Sequence, residues 1–411
     1  MKRVAVKEKC LLYKSRVKHR NDIAETIDTF LTNFSEVLPD SPNSTILIKP
    51  NLHMDLNSLM GNTTDLRILS DVIRLLQKRG YKKIIVGEGT NCGMHRFNID
   101  VYARLGVKDL VSYYGVRFVD FNRCRGIEVQ LSGKTKARVA DICLENDCFI
   151  NLPKIKTHRL ASLSVCLKSL VGCFVKMDKR KIHLHLHRQI VKMNEIIQPD
   201  LHIVDGLIVK QGQGPAWGEP VRRDTLIAGK NPFFIDAFCA WFTGFDCRDI
   251  PYLSLALEKD LLEEAEVEII KKSVRPVPLI KATPQRFVNL LALPLLDPLR
   301  NLVRPLSDIR WVSSLLYRTK IREDFYDNEN PSINNLIVDR EKCTFCHRCR
   351  DICPVNIDIT DKSFSVDNTA CIKCLYCYLV CPEQCITIKG ELGYFSRAAA
   401  DYREKIDRLG L

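Results

Sequence analysis

The chain has 411 residues, of which 46% are hydrophobic and 27% are charged. This length and balance fit two or three folded domains and exclude a disordered protein. The formal net charge of +13 favours acidic partners, or else marks a merely basic surface. No apolar stretch of about 18 residues is present to span a membrane. The start MKRVAVKEKC lacks the apolar core of a secretion signal, so we expect a cytoplasmic protein.

Residues 44–255 alternate strand-like and helix-like segments. Apolar residues recur at helical spacing from Asp65 to Arg79, and short apolar runs elsewhere predict strands. The predicted strands are 44–50, 82–89, 116–121, 148–153, 201–206 and 224–229, and the other predicted helices are 161–171, 187–197 and 233–243. This alternation is typical of an α/β fold with a mainly parallel sheet and helices on both faces. We assign residues 1–261 to this domain.

Polar residues follow the predicted strands, at the edge where α/β sheets bind ligands. The candidates for catalysis are Glu88, Lys156, His158 and Lys168, and the candidates for binding a cofactor or substrate are Lys49, Asn51, Lys154 and Asp205. Converging lysines suit a phosphate, a carboxylate or another anion. A helix starting near Ala161–Ser162 is expected to add N–H donors. The alternatives are solvated lysines and, for the two carboxylates, caps of a following turn.

Three histidines alternate at His183, His185 and His187. On a strand, this period of two would place all three on one face and build a metal site. On a helix they would diverge. The flanking residues favour a loop that runs into a helix, which is the interpretation we prefer.

Residues 262–334 differ in character, because prolines interrupt short apolar pieces and basic residues lie between them. We interpret this segment as a helical, proline-interrupted connector. The alternative is a weak peripheral membrane contact, since apolar and basic residues together suit an anionic bilayer surface.

Cysteines form the one internal repeat. The pattern C-x-x-C-x-x-C-x-x-x-C-P occurs at 343–354 and again at 371–382. In two-cluster ferredoxins, three cysteines of such a run bind one [4Fe–4S] cluster and the fourth binds the other. The expected ligands are Cys343, Cys346, Cys349 and Cys381 for the first cluster, and Cys371, Cys374, Cys377 and Cys353 for the second.

Zinc is the rival interpretation of these cysteines, but a zinc ion takes four ligands and does not call for a triple followed by Cys-Pro. Cys385 is a ninth cysteine in this region, and we interpret it as core filling rather than as a ligand. His347 lies inside the first loop, where we expect it to be solvated or to tune the cluster.

Two regions of the sequence resemble known protein families. Residues 335–390 resemble bacterial two-[4Fe–4S] ferredoxins, which implies a small α+β domain, followed by a helical tail at 391–411. Residues 45–245 resemble the domain-of-unknown-function family 362, through IKPNL (48–52), TTD (63–65), VGEG (86–89), INLPKIKTH (150–158), LKSLVG (167–172), VDG (204–206) and GQGPAWGEP (212–220). That family is often fused to ferredoxin modules and implies no established reaction.

A third resemblance concerns one segment only. The region of His158 and Lys168 is similar to a strand–loop–helix segment of the lactate racemase superfamily, in which a His and a Lys serve a bound cofactor.

One departure from the family 362 pattern is Gly229–Asn231, where that family tends to carry acidic residues.

These features leave three functional hypotheses open. The first is an oxidoreductase whose clusters exchange electrons with an anionic small molecule in the α/β domain. The second is a non-catalytic electron carrier or redox maturation partner, and the third is a membrane-associated redox adaptor. Basic residues beside the cysteines favour an acidic redox partner protein: Lys342, Arg348, Arg350 and Lys373. Nucleic acid is not expected, because aromatic and basic residues are not interleaved.

Overall fold

The computed structural model describes residues 1–17, 19–283, 329–361, 364, 366 and 370–411. Ten of the described strands form one sheet. They are β1 (Lys2–Val6), β2 (Lys9–Ser15), β3 (Thr45–Pro50), β4 (Lys83–Glu88), β5 (Arg117–Asp120), β8 (Cys148–Leu152), β9 (Lys154–His158), β10 (Ser162–Ser164), β11 (Leu201–Gln211) and β12 (Glu219–Gly229). Two further pairs are β6 (Gly126–Gln130) with β7 (Lys136–Ala140), and β13 (Ser332–Val338) with β14 (Ile386–Glu391).

The strand order is β1-β2-β12-β11-β8-β3-β4-β5, and β9 joins through β11 and carries β10. Pairing is parallel from β11 to β5 and antiparallel from β11 to β1. The expected α/β fold is therefore confirmed as a mostly parallel, mixed sheet. Parallel register aligns Lys49 with Asn151, so the polar residues at the ends of β3, β4 and β8 share one edge of the sheet.

Helices cover both faces of this sheet. Along β3, Ile46 and Ile48 pack into one core with the first helices, whereas Leu47 faces the other core together with Phe238 and Ile190. This alternation is what period-two strands require when both faces are buried. The helices are α1 (Arg20–Asn33), α2 (Leu66–Lys78), α3 (Cys92–Arg96), α4 (Val101–Arg104), α5 (Val107–Tyr113), α6 (Cys166–Ser169), α7 (Lys179–Ile182), α8 (Leu186–Ile196), α9 (Pro232–Phe242), α10 (Pro251–Glu258), α11 (Glu264–Ser273), α12 (Arg348–Asp351), α13 (Tyr376–Val380) and α14 (Phe395–Asp407).

The predicted helix over 161–171 is wrong in its first part. Ser162 has a positive φ of 61°, and Ser162–Ser164 forms β10, which pairs antiparallel with β9. The helix that follows has only four residues, and Asp236 accepts hydrogen bonds from the backbone N–H of Cys166 at 2.8 Å and of Leu167 at 3.3 Å. The expected N–H donors for an anion are therefore occupied by a carboxylate of the protein itself.

Most of the predicted connector lies outside the described residues, which omit 284–328. Its first part contains α11, and residues 274–283 have no regular structure. The interpretations of 284–328 as a helical connector or a membrane contact therefore remain predictions. Among the described residues, no helix combines the length and apolar character needed to cross a membrane.

The cysteine-rich C-terminal region packs directly on the α/β sheet domain. Its residues Tyr376 and Leu379 belong to the same hydrophobic core as Leu69 of α2 and Ile48 of β3. The C-terminal helix α14 also contributes, since Ile406 is 1% exposed and lies in that core. A shared core of this kind holds the two regions in one orientation.

Candidate functional site

Two adjacent cavities in the C-terminal region collect the repeated cysteines. The first cavity is lined by Cys343, Cys346, Cys349 and Cys381; these four cysteines are called the outer site. The second is lined by Cys353, Cys371, Cys374 and Cys377; these are called the inner site. Cys349 lies between the two cavities and lines the second one as well. The structure thus brings together the two ligand sets that the sequence predicts, with the fourth cysteine of each run crossing to the other set.

The two cysteine loops have the same backbone shape. Phe345 and His347 in the first loop, and Lys373 and Leu375 in the second, all have positive φ. These left-handed residues curl each loop around its cavity. Backbone N–H groups point at the sulfurs as well, for example from Ile357 to the Sγ of Cys353 at 3.3 Å. Hydrogen bonds to cysteine sulfur are a regular feature of iron–sulfur sites.

All four donors of each site are cysteine sulfurs, the ligands that hold [4Fe–4S] clusters. Within the described residues, no three His, Cys, Asp or Glu side chains come close enough together to hold one metal ion. The cysteines instead surround cavities whose remaining walls are largely apolar, such as Ile359 between the two sites. An all-thiolate set around an open volume is what a [4Fe–4S] core requires.

The two sites differ in their surroundings. At the outer site Cys346 is exposed, and the neighbouring Phe345 is 46% exposed. The loop of the inner site packs against the α/β domain, where the Nδ2 of Asn57 donates to the backbone oxygen of Cys374 at 3.0 Å. The outer site is therefore exposed to solvent at Cys346, whereas the inner-site loop is in contact with the α/β domain.

Tyr376 is the second contact between the inner-site loop and the α/β domain. Its hydroxyl is hydrogen-bonded to the hydroxyl of Ser58 and accepts from the backbone N–H of Leu66 at 3.2 Å. Gly106 packs nearby and has a left-handed backbone conformation, with φ at +75°. A Cβ there would lie 2.3 Å from the backbone oxygen of Ile372, so this close approach requires glycine.

At the sheet edge, Lys49 and Glu88 form a buried ion pair. The Nζ of Lys49 lies 3.0 Å from the Oε2 of Glu88. The same carboxylate accepts from the backbone N–H of Leu52 at 3.1 Å and of Gly89 at 2.8 Å. All of these partners belong to the protein, so the pair fixes the ends of β3 and β4 relative to each other.

Lys154 and Asp205 form a second fully buried pair. Their Nζ and Oδ2 atoms lie 2.8 Å apart, with both side chains at 0% exposure. Asp205 also accepts from the backbone N–H of Asp65 at 2.7 Å, and Asp65 in turn pairs with Arg67 at 2.8 Å. This network places the start of α2 against β9 and β11.

Lys156 forms no ion pair with the described residues, and neutral groups hold its ammonium. Its Nζ contacts the Oδ1 of Asn51 at 2.7 Å, the backbone oxygen of Asn62 at 3.0 Å and the Nδ1 of His53 at 3.2 Å. Burial and the nearby ammonium of Lys168 hold the pKa of Lys156 well below its usual range. Cationic groups are thus concentrated here without full compensation.

Two histidines lie beside Lys156. Burial, then the charge of Lys156 and Lys168, hold the pKa of His53 well below its usual range, and the Nε2 of His53 is buried without a hydrogen-bond partner in the described residues. The Nδ1 of His158 accepts from the backbone N–H of Leu160 at 3.1 Å. Burial and the charge of Lys168 likewise hold the pKa of His158 well below its usual range. Both rings are neutral at pH 7, and each leaves its Nε2 free to donate.

Lys168 makes no hydrogen bond or ion pair with the described residues. Its side chain keeps part of its surface exposed, and burial lowers its pKa to about 8. We call His53, Lys156, His158 and Lys168 the cationic site. Of the eight α/β residues predicted from the sequence, this site includes three, and Asn51 supports it. The other four form the two ion pairs.

Sequence reasoning missed two residues of this region. His53 follows β3 in the segment PNLH, and its position in the post-strand loop was the available signal. Lys210 lies near the end of β11, where burial lowers its pKa to about 7. An apolar strand that ends in a single lysine gives little sign that the lysine is buried.

The alternating histidines do not line one face of a strand. His183 follows α7, and His185 has a φ of 61° just before α8. The preferred interpretation of a loop running into a helix is confirmed, and the strand arrangement is wrong. His187 lies within α8, so the three rings diverge, in keeping with the lack of a three-ligand group in the described residues.

Comparison with known families assigns both regions. Residues 46–241 match the family described as Domain of unknown function (DUF362), and residues 335–382 match the 4Fe-4S dicluster domain. A thylakoid-associated protein of Synechocystis is 26% identical over 226 residues, which cover 52% of this chain and 67% of that protein.

Shorter matches fall on the cysteine region. An uncharacterized ferredoxin of Methanocaldococcus jannaschii is 41% identical, covering 13% of this chain and 77% of that protein. Ferredoxin-3 of Chlorobaculum tepidum is 40% identical, covering 11% of this chain and 86% of that protein. Among solved structures, the lactate racemase apoprotein of Thermoanaerobacterium thermosaccharolyticum matches with 13% identity and a TM-score of 0.31, over 52% of this chain and 53% of that one. That likeness is too weak for a comparison of sites.

Proposed function

We propose that this chain, whose residues 46–241 match the DUF362 family and whose residues 335–382 match the 4Fe-4S dicluster domain, is an iron–sulfur oxidoreductase. In this proposal, the outer and inner sites each hold one [4Fe–4S] cluster, and the cationic site binds an anionic substrate or cofactor. Electrons move singly between a partner protein at the outer site and the ligand in the α/β domain. The ferredoxin relatives support the electron-transfer part.

The cysteines of the two sites hold the clusters as thiolates, three from one loop and one from the other. Clusters bound there supply one-electron transfer. The exposed Cys346 and Phe345 favour the outer site as the entry point. Basic residues nearby, among them Lys342 and Arg348, favour an acidic redox partner, because opposite charges steer encounter.

One observation carries the link between the two regions. The segment 51–66, which connects β3 to α2, contacts the inner-site loop through Asn57, Ser58 and Leu66. The same segment holds Lys156 through Asn51 and His53. A single stretch of chain thus contacts both the inner site and the cationic site, which supports electron exchange between a cluster and a bound ligand.

The cationic site supplies charge and hydrogen-bond donors to the ligand. The ammonium of Lys168, which has no ion-pair partner among the described residues, offers the main electrostatic attraction. The Nε2 of His53 is buried, has no hydrogen-bond acceptor among the described residues, and can donate to a ligand. A phosphate or carboxylate satisfies both. The pairs Lys49–Glu88 and Lys154–Asp205 act as positioning groups, since their charges already face each other.

The test compares anaerobically purified wild-type protein with Lys168→Met and with a control, Lys83→Met, which changes an exposed lysine at the start of β4. Iron and sulfide are counted, small molecules extracted from each protein are identified by mass spectrometry, and phosphate binding is measured by calorimetry. We expect about eight irons per chain in all three. Wild type and Lys83→Met should bind phosphate or retain an anionic ligand that Lys168→Met loses.

Three proteins that bind phosphate equally, or not at all, and that retain the same small molecules would contradict the anion site. That outcome with about eight irons would favour a non-catalytic electron carrier. About two zinc ions per chain in place of iron would overturn the cluster assignment.

A further inference from the structure

The outer site has a fifth thiol. Cys385 lines the same cavity as the four cysteines of the outer site, and its Sγ lies 3.4 Å from the Sγ of Cys381. The side chain is buried, with 4% of its surface exposed. Cys385 therefore belongs to the hydrophobic core and also brings its sulfur next to a cysteine of the outer site.

The internal repeat supplies a control for this observation. The two cysteine motifs are offset by 28 residues, so the position equivalent to Cys385 in the first motif is Ile357. Ile357 lines the inner cavity in the corresponding way, and its side chain has no metal-binding atom. The two sites therefore share a motif and a loop shape, but only the outer one has a spare thiol among the described residues.

We propose that Cys385 is a reserve ligand of the outer site, able to replace Cys381 on the same iron. This inference rests on the proposed function only in that the outer site must hold a cluster. In the replacement, the Cys385 thiol would pass its proton to the Cys381 sulfur 3.4 Å away, so that Cys385 would hold the iron as a thiolate and Cys381 would become a free thiol. No electron is gained or lost in this exchange.

The geometry allows the exchange without refolding. Cys385 is four residues beyond Cys381 and directly precedes β14, and Pro382 lies between them. A change of one staggered χ1 rotamer moves a cysteine sulfur by roughly 3 Å, which matches the separation of the two sulfurs. While Cys381 remains the ligand, the Cys385 thiol is placed to donate a weak S–H hydrogen bond to it.

Exposure explains where such a reserve is useful. The outer site faces solvent at Cys346, so its sulfurs are the ones that oxidants and alkylating agents reach first. The inner site is covered by the α/β domain through Asn57 and Tyr376. A spare ligand at the exposed site, and an isoleucine at the covered one, fit this difference.

The test compares Cys381→Ala, Cys381→Ala/Cys385→Ala, Cys385→Ala and Cys353→Ala in the full-length protein, purified without oxygen. Cys353→Ala is the matched control, because it removes the equivalent cysteine from the site whose fifth position is Ile357. Iron and sulfide are counted, and the reduced proteins are examined by electron paramagnetic resonance. Circular dichroism shows whether each variant is folded.

We expect Cys381→Ala and Cys385→Ala to keep the full wild-type iron, with an altered outer-site spectrum in Cys381→Ala. The double variant and Cys353→Ala should each lose between one and four irons per chain. Equal iron loss in Cys381→Ala, the double variant and Cys353→Ala would overturn the reserve-ligand role, and so would full iron in all of them. If Cys381→Ala fails to fold, Cys381→Ser and Cys381→Ser/Cys385→Ala, which keep the size of the side chain at position 381, give the same comparison. A wild-type protein without iron would instead contradict the proposed function itself.

Discussion

The cysteine sites and the cationic site are both built to hold a charged group, but their side chains come from the chain in opposite ways. At the inner and outer sites all the donors are of one kind, and three of four come from one short loop. At the cationic site the groups come from separate strands and loops, and two other lysines of the region, Lys49 and Lys154, are already paired with carboxylates. Ligand binding is thus a local property in one region and a tertiary property in the other.

The largest expected effect is the loss of a cluster from one cysteine site, with the α/β domain left intact. Replacing one inner-site cysteine, in Cys374→Ala, should remove up to about four of the eight irons, because the remaining three thiolates cannot complete the site. Iron and sulfide counting measures the loss. The control is Cys10→Ala in β2, which should keep all the iron. Equal iron in the two variants would show that Cys374 is not a ligand.

A second change tests whether the buried pairs are structural. Asp205→Ala leaves the Lys154 charge buried and unpaired, so we expect a loss of about 3–5 kcal/mol in the free energy of unfolding. Urea unfolding followed by circular dichroism measures it. The matched control is Glu128→Ala, which breaks an exposed pair with Lys136 and should change the free energy of unfolding far less, because solvent screens an exposed pair. Similar losses in both variants would remove the distinction between buried and exposed pairs.

The pH dependence of anion binding sharpens the comparison further. Because burial lowers the pKa of Lys168 to about 8, its ammonium is charged below pH 8 and becomes neutral as the pH rises through 8. Phosphate affinity should therefore fall above pH 8, by up to roughly tenfold per pH unit. Calorimetry from pH 7 to 9.5 measures the fall.

The matched variant for this experiment is Lys168→Arg. An arginine stays charged over the whole range, so its phosphate affinity should fall less steeply than that of wild type. Identical pH profiles for the two proteins would assign the titration to another group, such as Lys156 or Lys210, whose pKa values burial also lowers.

The smallest expected effect concerns the contact between the two regions. Tyr376→Phe removes the hydroxyl that accepts from the backbone N–H of Leu66, at a cost of about 1 kcal/mol. Iron content should not change, whereas amide hydrogen exchange in 57–66 should become faster. Unchanged exchange in that segment would mean that the apolar core alone holds the inner-site loop in place.

Much of the fold could be predicted from the sequence, because buried parallel strands are continuous apolar runs and long helices keep their 3.6-residue period. The helix α2 and the strand β3 are examples. The segment after β9 could not, since Ser162–Ser164 pairs with β9 and Asp236, 70 residues away, caps the short helix that follows. Neither contact leaves a trace in local periodicity.

The sites divide in the same way. The two cysteine sets follow from spacing alone, because three ligands of each lie within seven residues. The lysines could be placed at the sheet edge, but not sorted into paired and unpaired ones. Whether a lysine is paired depends on the tertiary contacts of its ammonium group, as in the contact of Lys154 with Asp205. The place of His53 in the site likewise depends on a tertiary contact, between its ring and Lys156.

The most direct test of the central claim is a redox titration of the iron-loaded protein, followed by electron paramagnetic resonance with and without saturating phosphate. The Cys374→Ala variant identifies which signal belongs to the inner site. An anion beside the inner site disfavours an added electron, so we predict that phosphate lowers the inner-site midpoint potential, leaves the outer one unchanged, and has no effect in Lys168→Met. Midpoint potentials that stay the same with and without bound phosphate would contradict a link between the cationic site and the clusters.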